Sequence, residues 1–104
     1  MIGVDLVFIP EFQKQLEAGG DTFIERSFSL SEMKNHKTEH LAGLWAAKEA
    51  VIKAAETAPK KYTDIVITHD KAGKPCAHVG SQEFAVSIAH HGDYAIAVAC
   101  RTDQ

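Results

Sequence analysis

The sequence is short of the devices that staple a chain or anchor it. Only two cysteines occur in 104 residues, Cys76 and Cys100, and they form no C-x-x-C pair. Cysteines so placed read as small buried hydrophobes, and a disulfide framework is not expected. The longest wholly apolar runs are only a few residues, and Met1 leads into a strand-like segment with no basic start and apolar stretch behind it. Neither a membrane span nor a signal peptide is expected, which points to the cytoplasm. A basic excess is missing too: 11 Lys+Arg stand against 14 Asp+Glu, giving a formal net charge of -3 and a pI near 6.0. Binders of a phosphate backbone carry the opposite balance, so nucleic acid is not an expected partner. The chain contains no internal repeat and no low-complexity segment.

What is present is the make-up of a globular protein, with 45% hydrophobic and 24% charged residues, and its length suits a single domain spanning residues 1–104. A chain this short buries a modest core, roughly two thirds of its unfolded surface, which leaves subunit association as a source of further stability.

Alternation in Ile2-Gly3-Val4-Asp5-Leu6-Val7 predicts a strand with Ile2, Val4 and Leu6 on one face and Asp5 on the other. From Pro10 the pattern turns helical, with Phe12 and Leu16 four apart and Gly19-Gly20 as a stop. Asp21 caps a further turn carrying Phe23 and Ile24, and Ser29 with Glu32 has capping-box spacing before a small helix. The longest helical signal runs from Glu39 to Glu56, with Leu41, Leu44, Trp45, Val51, Ile52 and Ala55 at three- and four-residue steps. After Pro59 strands are expected at 65–69, 76–79, 84–89 and 94–101. In the last of them Ala95, Ala97 and Ala99 form a flat face suited to close packing against a helix. Helices ahead of a block of hairpins predict an α+β fold, one long central helix packed on a mainly antiparallel sheet.

Three charged residues interrupt the apolar central helix: Lys48, Glu49 and Lys53. Glu49 and Lys53 are four apart, the spacing of an ordinary exposed ion pair. Their flanks, Leu44-Trp45-Ala46-Ala47 and Ala50-Val51-Ile52, imply an embedded helix, where a charge is costly unless something pairs with it. Asp5, alone in an apolar strand, is either a cap for a backbone group or a metal ligand. If Asp5 and Glu49 converge, they suit Mg²⁺, with a lysine ammonium beside them for a phosphate. His36 and His40 read as surface residues without a third ligand. His90 and His91, before Gly92, fit either turn polarity or phosphate contact at a strand end.

Five segments stand in the order and spacing of a known family. They are Ile2-Gly3-Val4-Asp5, Phe23-Ile24-Glu25-Arg26-Ser27-Phe28, the run from Leu41 to Lys53 containing Trp45-Ala46-Ala47-Lys48-Glu49-Ala50, Gly73-Lys74-Pro75, and Val86-Ser87-Ile88-Ala89-His90. Over nearly its whole length the chain resembles the 4′-phosphopantetheinyl transferases, specifically the small holo-[acyl-carrier-protein] synthase type. The first strand and the central helix carry most of that specificity. The resemblance implies transfer of the 4′-phosphopantetheine arm from coenzyme A to a serine of an acyl carrier protein or carrier domain, with release of adenosine 3′,5′-bisphosphate. It further implies that Asp5 and Glu49 ligate Mg²⁺, that Lys53 contacts the coenzyme A phosphates with Lys48 also among the cofactor-binding residues, and that Asp5, Glu49 and Lys53 are the catalytic set. Gly73, Lys74, Pro75 and His90 would flank the adenosine 3′-phosphate side. The base for the serine proton is left open between Glu49 and a metal-bound water. Members of this size are usually homotrimers, with the nucleotide cleft between neighbouring subunits.

The chain departs from the family's pattern at four places. Phe8 stands where an acidic residue is common, Glu11 where a basic residue helps to dock the carrier, and Leu44 where an arginine helps to hold the 3′-phosphate. A glycine-rich stretch is replaced by Ala55-Glu56-Thr57-Ala58-Pro59-Lys60-Lys61. Two further readings follow from these: a divergent member serving an unusual carrier, suggested by Glu11, or a binding or scaffold protein that kept the fold and lost turnover, suggested by Leu44 and the loop.

Overall fold

A computed structural model describes residues 1–103. The chain runs β1 (Ile2–Phe8), α1 (Ile9–Ser27), a 3₁₀ turn (Glu32–Lys34), α2 (Thr38–Ala54), a second 3₁₀ turn (Tyr62–Asp64), β2 (Val66–His69), β3 (Pro75–Val79), β4 (Gln82–His91) and β5 (Tyr94–Arg101). The five strands form one wholly antiparallel sheet in the order β1-β5-β4-β3-β2. The first strand therefore pairs with the last, Asp5 lying opposite Ala97.

The alanine face of β5 behaves as its composition requires: Ala95, Ala97 and Ala99 are fully buried beneath α2, as are Ala46, Ala47, Ala50 and Ala54 of the helix. Small residues on both surfaces let helix and sheet approach closely. The approach is tightest at Gly3, where a Cβ would sit 2.1 Å from the carbonyl oxygen of Ala50. Only glycine fits there, and the contact fixes Asp5, two residues along β1, relative to α2.

The helical layer holds two helices of similar length rather than one long central helix with only short pieces beside it. As Gly19-Gly20 signals, the first is interrupted at Gly20, whose backbone is non-helical (φ 57°, ψ −148°), and a second helical stretch runs on to Ser27. Its continuation is held by packing, because Phe12, Phe23, Phe28 and Trp45 form an aromatic cluster, with Phe23 and Trp45 centred 5.4 Å apart. Half of the expected capping box is present, Ser29 N–H donating to Glu32 Oε1 at 2.8 Å, although the element that follows is only a 3₁₀ turn. Cys100 is exposed rather than buried, and both cysteines are free thiols.

The sheet face away from the helices stays open. Ile2, Val4, Leu6 and Phe8 of β1 are exposed there with Tyr94 and Ile96 of β5, and the register sets Leu6 against Ile96 and Phe8 against Tyr94. No helix among the described residues is long and apolar enough to cross a membrane.

Candidate active site

Asp5 and Glu49 converge. They line one cleft of about 330 Å³ with Phe8, Glu11, Phe12, Gln15 and Trp45. Lys53 joins them: its Nζ donates to Asp5 Oδ1 at 3.1 Å and to the carbonyl of Val4 at 2.9 Å, while half of its side chain stays exposed. Glu49 is held from another direction by Tyr62, whose hydroxyl donates to Oε1 at 2.8 Å. Burial first, then the Glu49 hydrogen bond and the nearby carboxylates, push the Tyr62 phenol up to about 12. Phe8 and Glu11 share this cleft, so both departures at the start of the chain fall beside the carboxylate pair.

The chemistry of this donor set fits Mg²⁺. A hard cation of that size is commonly bound through one or two carboxylates plus substrate phosphates. Asp5 and Glu49 each have one oxygen engaged by a protein donor and, among the described residues, a second oxygen that none reaches. No cluster of three or more His, Cys, Asp or Glu suited to a metal occurs among the described residues, so the remaining ligands would have to come from substrate and water.

Lys48 does not belong to this cleft, and its expected place among the cofactor-binding residues is corrected. It is fully buried, pairs with Glu32 Oε1 at 2.8 Å, and donates to the carbonyls of Ser27 (2.8 Å) and Tyr62 (3.1 Å). Burial lowers its pKa, partly offset by Glu32. Its neighbour Glu49 points elsewhere because adjacent helical residues lie roughly 100° apart around the axis.

Lys74, Pro75 and His90 line a second, larger cleft of about 520 Å³, with Leu44, His40 and His69. Gly73 closes the turn leading into it, its N–H donating to the carbonyl of Asp70. The His90 ring Nε2 lies 2.9 Å from the Glu39 carbonyl, tying β4 to the first turn of α2. His40 is half-buried in this cleft rather than on an open surface, and its pKa is lowered first by burial and then by His69 and His90. The sequence carries no signal for this gathering, since His40, His69 and His90 come from three separate elements. Leu44 and Glu49 lie five residues apart on α2, roughly 140° around the helix, so the two clefts open on different sides of it. A third cleft, of about 510 Å³, is lined by Arg26, Lys60 and Lys61 together with Glu25, Tyr62 and Thr63.

A five-stranded antiparallel sheet packed with helices is the fold shared with known proteins. The family model of the 4′-phosphopantetheinyl transferase superfamily matches residues 1–99. The chain belongs to that superfamily. It is 36% identical over 110 residues to the holo-[acyl-carrier-protein] synthase of a Sulfurovum species, covering 94% of this chain and 92% of the relative. The crystal structure of Helicobacter pylori holo-[acyl-carrier-protein] synthase in complex with coenzyme A superposes with a TM-score of 0.86 at 30% identity, covering 98% of this chain and 100% of that one. The Chronobacterium ammoniagenes complex with coenzyme A gives 0.79 at 36% identity, covering 99% and 96%.

Proposed function

We propose that this chain transfers the 4′-phosphopantetheine arm of coenzyme A to a serine hydroxyl of an acyl carrier protein, in the cytoplasm. The observation that carries this reading is the convergence of Asp5 and Glu49 in one cleft, with Lys53 hydrogen-bonded to Asp5, in a chain whose relatives are holo-[acyl-carrier-protein] synthases. Asp5 and Glu49 are the residues that would hold Mg²⁺. Bound there, the ion would neutralise pyrophosphate charge and polarise the phosphoryl group under attack. Lys53, half exposed and tethered only through Asp5 and a carbonyl, can turn its ammonium to a phosphate oxygen. As the serine oxygen bonds to phosphorus, the bond to the adenosine 5′-phosphate oxygen breaks. The serine proton passes to Glu49 or to a water in the cleft.

Lys74, Pro75 and His90 supply the adenosine 3′-phosphate side, and we place them in the same reaction through a homotrimer. Two features support this assembly. The carboxylates and the phosphate-side residues occupy different clefts of one chain, so a neighbour can bring the second half to the first. The open apolar face of β1 and β5 gives subunits something to bury.

The test is to incubate the protein with Mg²⁺, coenzyme A and apo acyl carrier proteins from the source organism and to weigh the intact carriers. One added phosphopantetheine per carrier is expected. If no carrier gains that mass while coenzyme A still binds, the chain is a binding or scaffold protein, the reading that Leu44 in the second cleft favours.

A further inference from the structure

Tyr62 is gripped from three directions by one helix. Its carbonyl accepts from Lys48 Nζ at 3.1 Å, its ring lies against Trp45 with centroids 4.6 Å apart, and its hydroxyl donates to Glu49 Oε1 at 2.8 Å. The three partners, Trp45, Lys48 and Glu49, fall within two turns of α2, although Tyr62 itself sits beyond the helix in a 3₁₀ turn. Lys48 has its own position fixed by Glu32 and the Ser27 carbonyl, so the grip is anchored in the core rather than at the surface. A tyrosine held this firmly has little freedom to move its hydroxyl.

We propose that Tyr62 is a positioning residue for the metal site: it fixes the Glu49 carboxylate so that Oε2 faces the cleft, and Lys48 acts through it. This inference rests on the assignment of Glu49 as a metal ligand. The physical reason is that a flexible glutamate must give up rotamer freedom when it binds a cation, and a hydrogen bond to its far oxygen removes that freedom in advance. Tyr62 acts on the metal site through Glu49 and is not itself a ligand in this proposal. Its ring holds the 3₁₀ turn against Trp45, and its hydroxyl alone serves the carboxylate.

The discriminating substitution is Tyr62→Phe, which keeps the ring and deletes the hydroxyl. Mn²⁺ binding, read by electron paramagnetic resonance with coenzyme A present and no carrier, should weaken roughly 10-fold or more, the usual cost of removing an outer hydrogen-bond partner. The Mg²⁺ concentration for half-maximal transfer should rise by the same factor, while KM for coenzyme A at saturating Mg²⁺ stays unchanged. Trp45 is the sole tryptophan, so its unchanged fluorescence would show that the ring has kept its place. Glu49→Gln serves as the control. If it abolishes Mn²⁺ binding while Tyr62→Phe binds as wild type, the positioning role is refuted and the metal assignment stands. If both variants bind as wild type, the metal assignment itself falls. A weakened Tyr62→Phe with altered Trp45 emission would assign the loss to the ring's displacement and also refute the role of the hydroxyl.

Discussion

Replacing Lys48 by methionine separates a structural lysine from a phosphate-binding one. Methionine keeps most of the aliphatic stem and removes the ammonium, which leaves Glu32, also buried, without its counter-ion, and leaves the carbonyls of Ser27 and Tyr62 without that donor. Breaking a buried pair from one side costs about 3–5 kcal/mol, because the surviving charge loses its partner while remaining out of water. Against a total stability of about 5–15 kcal/mol, that is a large fraction. For a domain of this length it corresponds to a fall in Tm of roughly 12–40 °C. Differential scanning calorimetry at fixed protein concentration measures it, since assembly would otherwise shift the midpoint. Glu32→Gln should destabilise as well: an amide oxygen in the Oε1 place still accepts from Lys48 and the Ser29 N–H, but its NH2 then faces the Ile67 N–H, and Lys48 is left without a counter-charge. A Lys48→Met protein that melts within a few degrees of wild type yet loses affinity for coenzyme A would refute this reasoning and return Lys48 to the cofactor site.

Two further predictions concern the second cleft. Burial, then repulsion from His69 and His90, lowers the pKa of His40, so the folded state disfavours its protonation relative to the unfolded chain. Stability should therefore fall as pH drops below the ordinary histidine value of 6.5 towards the lowered one, and denaturant midpoints should show a shallower decline for His40→Gln. An equal decline in both proteins would exclude His40 as the cause. Leu44 lines the same cleft as Lys74 and His90 but brings no charge. Above the histidine range, wild type should distinguish coenzyme A from its 3′-dephospho form weakly, and Leu44→Arg should add a preference of about 1.5–3 kcal/mol by calorimetric titration. A native preference of that size would show that Lys74 already supplies the contact.

The features legible in the sequence are those set by local periodicity. Alternation in 94–101 sorts Ala95, Ala97 and Ala99 from Tyr94 and Ile96, and the structure buries the first set and exposes the second. Apolar residues on nearly every side of the central helix identify it as embedded, and its observed span, Thr38–Ala54, lies within two residues of the expected one. Long-range pairing has no such signature. Glu32 and Lys48 are sixteen positions apart, in different elements; Glu32 reads as half of a capping box and Lys48 as a charge in need of a partner, and no spacing rule pairs the two. Tyr62 looks like one aromatic near a proline-containing loop, and only its return onto α2 brings its hydroxyl to Glu49. The break at Gly19-Gly20 is legible, since Gly20 is non-helical; what the sequence does not show is that packing of Phe23 on Phe12 and Trp45 extends the second stretch to Ser27.

Whether one chain or two build the working site can be decided by mixing damaged subunits. Asp5→Ala damages the carboxylate cleft, and Lys74→Glu with His90→Ala damages the other. If each site lay within one chain, every subunit in a mixture of the two variants would carry a defect, and activity would stay at the sum of the parents. A head-to-tail ring behaves differently, since each interface joins one cleft of a subunit to the other cleft of its neighbour. In an equal, randomly exchanged mixture, each cleft at an interface is intact half of the time, so about a quarter of the interfaces combine two undamaged halves. The mixture should recover about a quarter of wild-type activity, and the value should follow the product of the two mole fractions as the ratio is varied. Mixtures that exchange subunits, as verified by native mass spectrometry of tagged chains, yet recover nothing would refute the shared site and leave both clefts to be explained within a single subunit.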